Sequence, residues 1–150
     1  MSNALADQIE HARTLIAALT PATEPEIEFT EADGALPVGK EPPAGHRVFD
    51  VHHDGGARLT TEWFATGFRN VRGRFVVEIN YDARRAFKTM DRILVEDTDQ
   101  ITSLLESPDS RVSVDVLQIR LADQSASARD ESGEFVTVQM VFEVDYRVAL

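Results

Sequence analysis

The stretch that decides the fold is FVTVQMVFEVDYRVAL, residues 135–150. Apolar side chains occupy every second position from 136 to 148, and polar side chains fill the positions between them, with Val141 as the one apolar exception. A period of two is typical of a strand that buries one face. The alternation lasts for about fourteen residues, whereas a typical strand has about 5–6. We therefore predict an unusually long β-strand.

Three more segments read as strands. Residues 46–53 form a plausible strand that ends at a Gly-Gly turn, and residues 71–82 alternate as clearly as the final strand does. In residues 111–122 the apolar parity switches after Val116, which predicts a bulge. Between them, residues 57–70 have poor periodicity and are predicted to be a strand end plus a loop, and residues 123–134 to be a polar hairpin loop.

Two segments show helical spacing of apolar residues. The first covers residues 4–19, with Asn3 as the expected N-cap and Pro21 beyond its end. The second begins after Asp82, which sits where an N-cap belongs, and closes at residues 107–109. The sequence DTD at 97–99 interrupts its apolar stripe, so we expect a bend or a restart there, capped by Asp97 or Thr98.

The order of elements predicts an α+β fold, with an antiparallel or mixed sheet of about four to five strands and two helices on one face. Length favours a single domain, residues 1–150. Residues 20–45 hold five of the six prolines and six acids, so this segment is expected to be an extended loop, with at most a short strand at 27–29.

Composition excludes several classes of function. The chain has no cysteine, which argues against disulfides and thiolate zinc sites. No apolar run approaches the roughly 18 residues of a membrane span, and the N-terminal segment does not resemble a signal peptide. We expect a protein of a cytoplasm-like compartment. The net charge of −11 argues against clamping of a nucleic-acid backbone.

The residues give little support for an enzyme. His52 and His53 are adjacent in a predicted strand, so their side chains should point to opposite faces and not share a metal ion. Glu96, Asp97 and Asp99 lie at the expected helix break, where a cap explains them. No phosphate-binding glycine loop or nucleophile motif is present. We expect no catalytic residue, no metal and no cofactor, while a small metal-dependent enzyme using His52 or His53 stays as an alternative.

The residues most suited to an interface are aromatic and arginine side chains. Tryptophan, phenylalanine and arginine are enriched at contact centres, although the aromatic residues could equally cover a sheet edge within one chain. Arg72 and Arg74, followed by Arg84 and Arg85, could pair with the acidic loop 24–33 of another subunit or simply be solvated. The candidate interface residues are Trp63, Phe64, Phe68, Arg69, Arg72, Arg74, Tyr146 and Val148.

A resemblance to a known family covers roughly residues 71–150 and the leading amphipathic helix. The run RFVVEINYDARRAFKTMDRILVEDTDQITSLLES, then SRVSVDVLQIRL, then FVTVQMVFEVDYRVAL resembles the tail terminator proteins of long-tailed bacteriophages and their relatives in gene transfer agents. In that family a strand leads into a long helix and two long strands follow. Phe142, Val144 and Tyr146 match the apolar and aromatic ending of the last strand.

The resemblance implies a structural protein of the virion tail or neck, assembled in the host cytoplasm. It implies a homohexameric ring that caps the tail tube and receives the head-tail connector, with DNA passing through the lumen without specific binding. An acidic lumen would repel phosphate. The alternatives are another neck or minor tail protein of similar fold, or an acidic inhibitor that imitates DNA.

Overall fold

The computed structural model describes residues 3–32, 45–54, 59–65, 67–84, 89–128 and 134–149, with the backbone alone for 59–65 and 127–128. The predicted α+β class is confirmed, with four strands between the two helices and two more strands after the second helix. The elements are α1 (Ala4–Ala17), β1 (Thr30–Glu31), β2 (Val48–His53), β3 (Leu59–Ala65), β4 (Phe68–Asp82), α2 (Met90–Glu106), a 3₁₀ turn (Pro108–Ser110), β5 (Val116–Ala128) and β6 (Phe135–Ala149).

The sheet is built around the long antiparallel pair of β4 and β6. The two strands are paired over 15 residues each, from Phe68 opposite Ala149 to Asp82 opposite Phe135. In the described part of the chain, the strand order is β1-β2-β4-β6-β5, and β3 pairs with the first half of β4 outside this path. Because β1 runs parallel to β2, the sheet is mixed. The prediction of an unusually long final strand is confirmed.

One face of β4 and β6 forms the hydrophobic core. Phe75 and Phe142 are fully buried, and their rings stack with centroids 5.3 Å apart. Both helices pack on this face. A Cβ atom added to Gly73 of β4 would lie 2.6 Å from a methyl carbon of Leu5, so α1 approaches the backbone of the sheet closely. The predicted two-layer arrangement is therefore correct.

Helix α1 begins as the sequence predicts. The side-chain oxygen of Asn3 accepts hydrogen bonds from the backbone N–H groups of Leu5 and Ala6, at 2.9 and 3.1 Å. These bonds satisfy donors that have no partner inside the helix. The helix ends at Ala17, two residues before the predicted end at residue 19.

A fully buried arginine, Arg47, connects the sheet, α2 and the loop that follows α1. Its guanidinium forms a two-bond pair with the carboxylate of Asp97 on α2, at 2.8 and 3.1 Å. The remaining N–H groups donate to the backbone carbonyls of Thr23, Glu24 and Ile27, at 2.6, 2.8 and 2.9 Å. All five donors of the guanidinium therefore have an acceptor.

The partners of Arg47 are themselves held in place. The hydroxyl of buried Tyr81 donates to Asp97 at 3.0 Å. Burial, together with the charge of Asp97, raises the pKa of Tyr81 well above its ordinary value, so the hydroxyl stays protonated as a donor. The loop is also fixed to the outside of α2, where Thr23 donates to Glu96 and the backbone N–H of Ala22 donates to Gln100.

Two predictions about α2 need correction, its start and its break. The helix does not begin after Asp82, which is the last residue of β4 and whose carboxylate accepts from the backbone and side chain of Arg84. Among the described residues, helix α2 begins at Met90. It also does not break at 97–99, because Asp97 turns inward to Arg47 and Thr98 donates to the carbonyl of Leu94. The predicted end at 107–109 is confirmed.

The strand boundaries also differ from the predictions. Residues 59–65 are a strand, and a register shift against β4 between Thr60 and Phe64 explains their poor periodicity. The short strand predicted at 27–29 lies instead at 30–31. In β5 the predicted bulge is present between Val116 and Gln118, but the strand begins at Val116 and continues to residue 128, so the predicted hairpin loop at 123–134 is wrong in its first half. Its middle, 129–133, and the Gly-Gly turn at 55–56 lie outside the described residues.

We predict that Arg47→Met lowers the free energy of unfolding by about 3–5 kcal/mol, because it leaves the carboxylate of Asp97 buried without a counter-charge. Urea unfolding followed by circular dichroism measures the change. The double variant with Asp97→Leu should be less destabilised than the sum of the two single variants. As a control, Arg92→Met breaks only the exposed pair with Glu96 and should change stability little. Additive losses in the double variant would contradict the direct coupling.

Candidate interface on the outer face of the sheet

Charged side chains form a regular array on the sheet face that points away from the helices. Arg74 on β4, Glu143 on β6 and Arg120 on β5 lie side by side across three strands. Arg74 donates to one oxygen of Glu143 at 2.8 Å, and Arg120 donates twice to the other oxygen at 2.6 and 3.0 Å. Cross-strand neighbours of opposite charge stabilise a sheet, so this row fixes its own geometry.

The array continues along the strands with two more arginines. Arg72 donates to both oxygens of Asp145, at 2.8 and 3.3 Å. Arg147 donates to Asp115 at 2.8 Å, and its guanidinium lies 4.6 Å from the ring centroid of Phe68. We call these residues the arginine ladder, which consists of Arg72, Arg74, Arg120 and Arg147.

In the pairs with Glu143 and Asp145, the ladder arginines are more exposed than the carboxylates that hold them. In the fourth pair, Asp115 is more exposed than Arg147. The side chain of Arg120 is 43% exposed, whereas that of Glu143 is 12% exposed. Hydrogen bonds from Arg120 and, to a lesser extent, from Arg74 lower the pKa of Glu143. This carboxylate therefore stays ionised at a lower pH than an ordinary glutamate. The hydrogen bond to Asp145 raises the pKa of Arg72. A partner therefore meets guanidinium groups whose orientation is already set, which is a suitable surface for a specific contact.

The structure brings together some of the predicted interface residues. Arg72 and Arg74 belong to the ladder, and Phe68 lies under its fourth member, Arg147. Arg69 is half-buried on the other face of β4, opposite Val148 of β6. These residues occupy the first half of β4 and its partner segment.

The other predicted interface residues are placed differently. Tyr146 is 1% exposed and lies in the hydrophobic core, which leaves its side chain no surface for a partner. Val148 is half-buried and packs against the same core. Trp63 and Phe64 lie on β3, where the structure describes the backbone but not the side chains.

The sequence analysis missed Arg120, Arg147 and Glu143. Arg120 lies in a strand whose parity changes twice, at bulges near residues 117 and 122, so its face could not be read from the pattern. Glu143, Asp145 and Arg147 do occupy the polar positions of β6. That alternation was the available signal, but pairing them with Arg72 and Arg74 requires the strand register.

His52 lies on the same outer face, near the other end of the sheet. Its ring nitrogens are 3.4 Å from an oxygen of Asp50 and 3.9 Å from an oxygen of Glu78. Glu78 also accepts from Gln139 at 2.8 Å. His53 is exposed, and in the described ranges no group of three or more His, Cys, Asp or Glu side chains is arranged to hold a metal ion. None of the described helices is long and apolar enough to cross a membrane.

The helix layer carries a groove lined by both helices. Its volume is about 620 Å³, and it lies between the end of α1 and the second half of α2. Leu15, Leu19 and Leu104 provide apolar walls, and Asp99 and Asp109 stand among the polar lining residues. None of the described residues that line this groove is basic.

Comparison with known proteins gives a likeness of fold. No protein-family model matches the chain, and no curated protein matches it significantly. Among solved structures, the chain is similar to one described as "Virion of native gene transfer agent (GTA) particle". The TM-score is 0.52 at 15% sequence identity, and the match covers 97% of this chain and 92% of that chain. The arrangement of helices and sheet described above is thus shared with a chain of that virion structure.

We predict that His52 titrates above its ordinary pKa of 6.5, because Asp50 accepts a hydrogen bond from the imidazolium and Glu78 and Asp54 attract its charge. The stabilisation it contributes is complete below 6.5 and is lost as the pH rises through the raised pKa. An NMR titration of the ring protons measures the pKa. Asp50→Asn should lower it, and His53 provides an internal comparison. A His52 pKa that is unchanged by Asp50→Asn would contradict this assignment.

Proposed function

We propose that this chain is a structural protein of a phage-like virion. The observation that carries the proposal is the likeness of fold to a chain of a gene transfer agent virion, which extends over 97% of this chain. The resemblance of residues 71–150 to tail terminator proteins points in the same direction from the sequence. The shared feature is a long strand, then a helix, then two long strands, which correspond to β4, α2, β5 and β6.

In more detail, six copies of the chain form a ring that ends the tail tube and joins it to the head connector. A rigid sheet supports this role, since β4 and β6 are hydrogen-bonded over their full 15 residues and can transmit load between neighbours. The partners are other copies of the chain, the tube protein and the connector. DNA passes through the lumen without specific binding, in keeping with a net charge of −11.

The competing proposals have less support. An inhibitor that imitates DNA needs acids exposed in a phosphate-like row. The outer face of the sheet does not offer one, because Glu143 lies beneath Arg74 and Arg120. The helix side does expose acids, but the likeness of fold to a virion chain favours the structural role. The role proposed here is structural and requires no turnover. Another neck or minor tail protein of the same fold would differ only in where it assembles.

We predict that the purified chain forms a discrete species near six times its mass of 16.7 kDa. Light scattering over a wide concentration range measures the mass, and negative-stain images of the same fractions show whether the species is a ring. If the chain is monomeric alone, the ring is expected to close on tail tubes, with the protein bound only at tube ends. Binding along the tube wall, or no binding, would contradict the proposal.

A further inference from the structure

The helix side of the molecule presents an acidic surface. We call it the acidic helix face, and it combines α2 with the loop fixed to it by Thr23 and Ala22 and with the 3₁₀ turn. In the described part of these segments, Arg92 is the one exposed basic side chain, and it is paired with Glu96 at 2.9 Å. The exposed acids of this face are Glu26, Glu28, Asp91, Asp99, Glu106 and Asp109.

The acidic helix face and the arginine ladder lie on opposite sides of the sheet. The helices cover the face that carries Gly73 and Tyr81, and the ladder occupies the face that carries Arg72 and Arg74. We propose that the arginine ladder of one copy docks on the acidic helix face of the next copy. This inference rests on the proposed ring, for which it names the contact between neighbouring subunits.

The two faces suit each other in composition. Apolar side chains lie on and beside the acidic helix face, because Val95 is 59% exposed and the walls of the adjoining groove include Leu15, Leu19 and Leu104. Asp99 and Asp109 stand at this groove. Arginine side chains can lay their aliphatic stems on apolar surface while the guanidinium reaches a carboxylate. Contacts with an apolar centre and charged surroundings are typical of protein interfaces.

The charge spacing also agrees. Arg74 on β4 and Arg120 on β5 flank β6, so they are separated by two inter-strand spacings, or about 10 Å. Asp91 and Asp99 are eight residues apart on α2, which corresponds to about 12 Å along a helix. Because Glu143 already orients Arg74 and Arg120, little side-chain entropy is lost when they meet these acids.

The charges favour a second copy of the chain over nucleic acid as the partner. Three carboxylates, from Glu143, Asp145 and Asp115, lie among the four arginines of the ladder. This leaves too small a positive excess to hold a phosphate backbone against a net charge of −11. A contact between two different faces of the same protein is heterologous and closes into a ring if the rotation allows it.

Charge reversal on each face tests the contact. The ladder variant is Arg72→Glu with Arg74→Glu, and the helix variant is Asp91→Lys with Asp99→Lys. Each variant alone places like charges across every contact, so the concentration needed for half-assembly should rise at least tenfold. An equimolar mixture should restore assembly, because each reversed face then meets a face of opposite charge in a ring of alternating copies. Light scattering of the separate and mixed variants measures this.

Two further variants control for folding and for total charge. Arg92→Glu makes the same change in net charge per substitution as Arg74→Glu, but it adds acid to the acidic helix face and should leave assembly intact. If the ladder variant loses its circular dichroism spectrum or melts early, Arg72→Gln with Arg74→Gln removes the positive charge without adding repulsion. That variant should still raise the half-assembly concentration.

The outcomes separate this inference from the proposed ring. A wild-type chain that stays monomeric at every concentration and does not bind tail tubes contradicts both. A wild-type chain that assembles, together with variants that assemble normally or that fail to recover on mixing, overturns the ladder contact alone. A ladder variant that assembles normally but loses binding to a labelled DNA oligonucleotide identifies nucleic acid as the partner and also overturns it.

Discussion

The buried pair of Arg47 and Asp97 is the interaction on which the helix side of the molecule depends. Burying two charges is costly, and the cost is offset here because every donor of the guanidinium has an acceptor. The three carbonyls that accept from Arg47 belong to residues 23–27, so the pair places this acidic loop against α2. Together with the bonds from Thr23 to Glu96 and from Ala22 to Gln100, the pair brings the acids of the loop and of α2 onto one surface.

On the outer face of the sheet, the charged groups are not buried but form partly exposed ion pairs. Its arginines and carboxylates are partly exposed, so each single pair contributes little to stability. These pairs matter mainly because they orient the side chains: neighbouring strands hold Arg72, Arg74 and Arg120 around Asp145 and Glu143. One side of the molecule thus carries exposed acids on the loop and α2, and the opposite side carries aligned arginines on the sheet. The proposed assembly pairs these two oppositely charged sides.

Most of the fold could be predicted from the sequence, because alternation in residues 71–82 and 135–150 shows both the strands and their buried face. The errors have physical causes. Asp97 resembles a helix cap in sequence, and only the position of Arg47, fifty residues earlier, shows why it is buried. The register shift in the pairing of β3 with β4 disturbs the alternation of residues 59–65, so the sequence pattern did not reveal this strand. The ladder depends on pairing between strands about seventy residues apart, which a local pattern does not encode.

The central position of β6 has a consequence for synthesis. This strand lies between β4 and β5 in the sheet but follows both of them in the chain. Until the ribosome has made it, β4 and β5 have no shared neighbour, and the buried face of β4 lacks Met140, Phe142 and Val144. Such non-local pairing makes folding slow. It also means that a chain cut short before residue 135 lacks the centre of the sheet together with Glu143 and Asp145, so incomplete copies are kept out of any assembly built on the ladder.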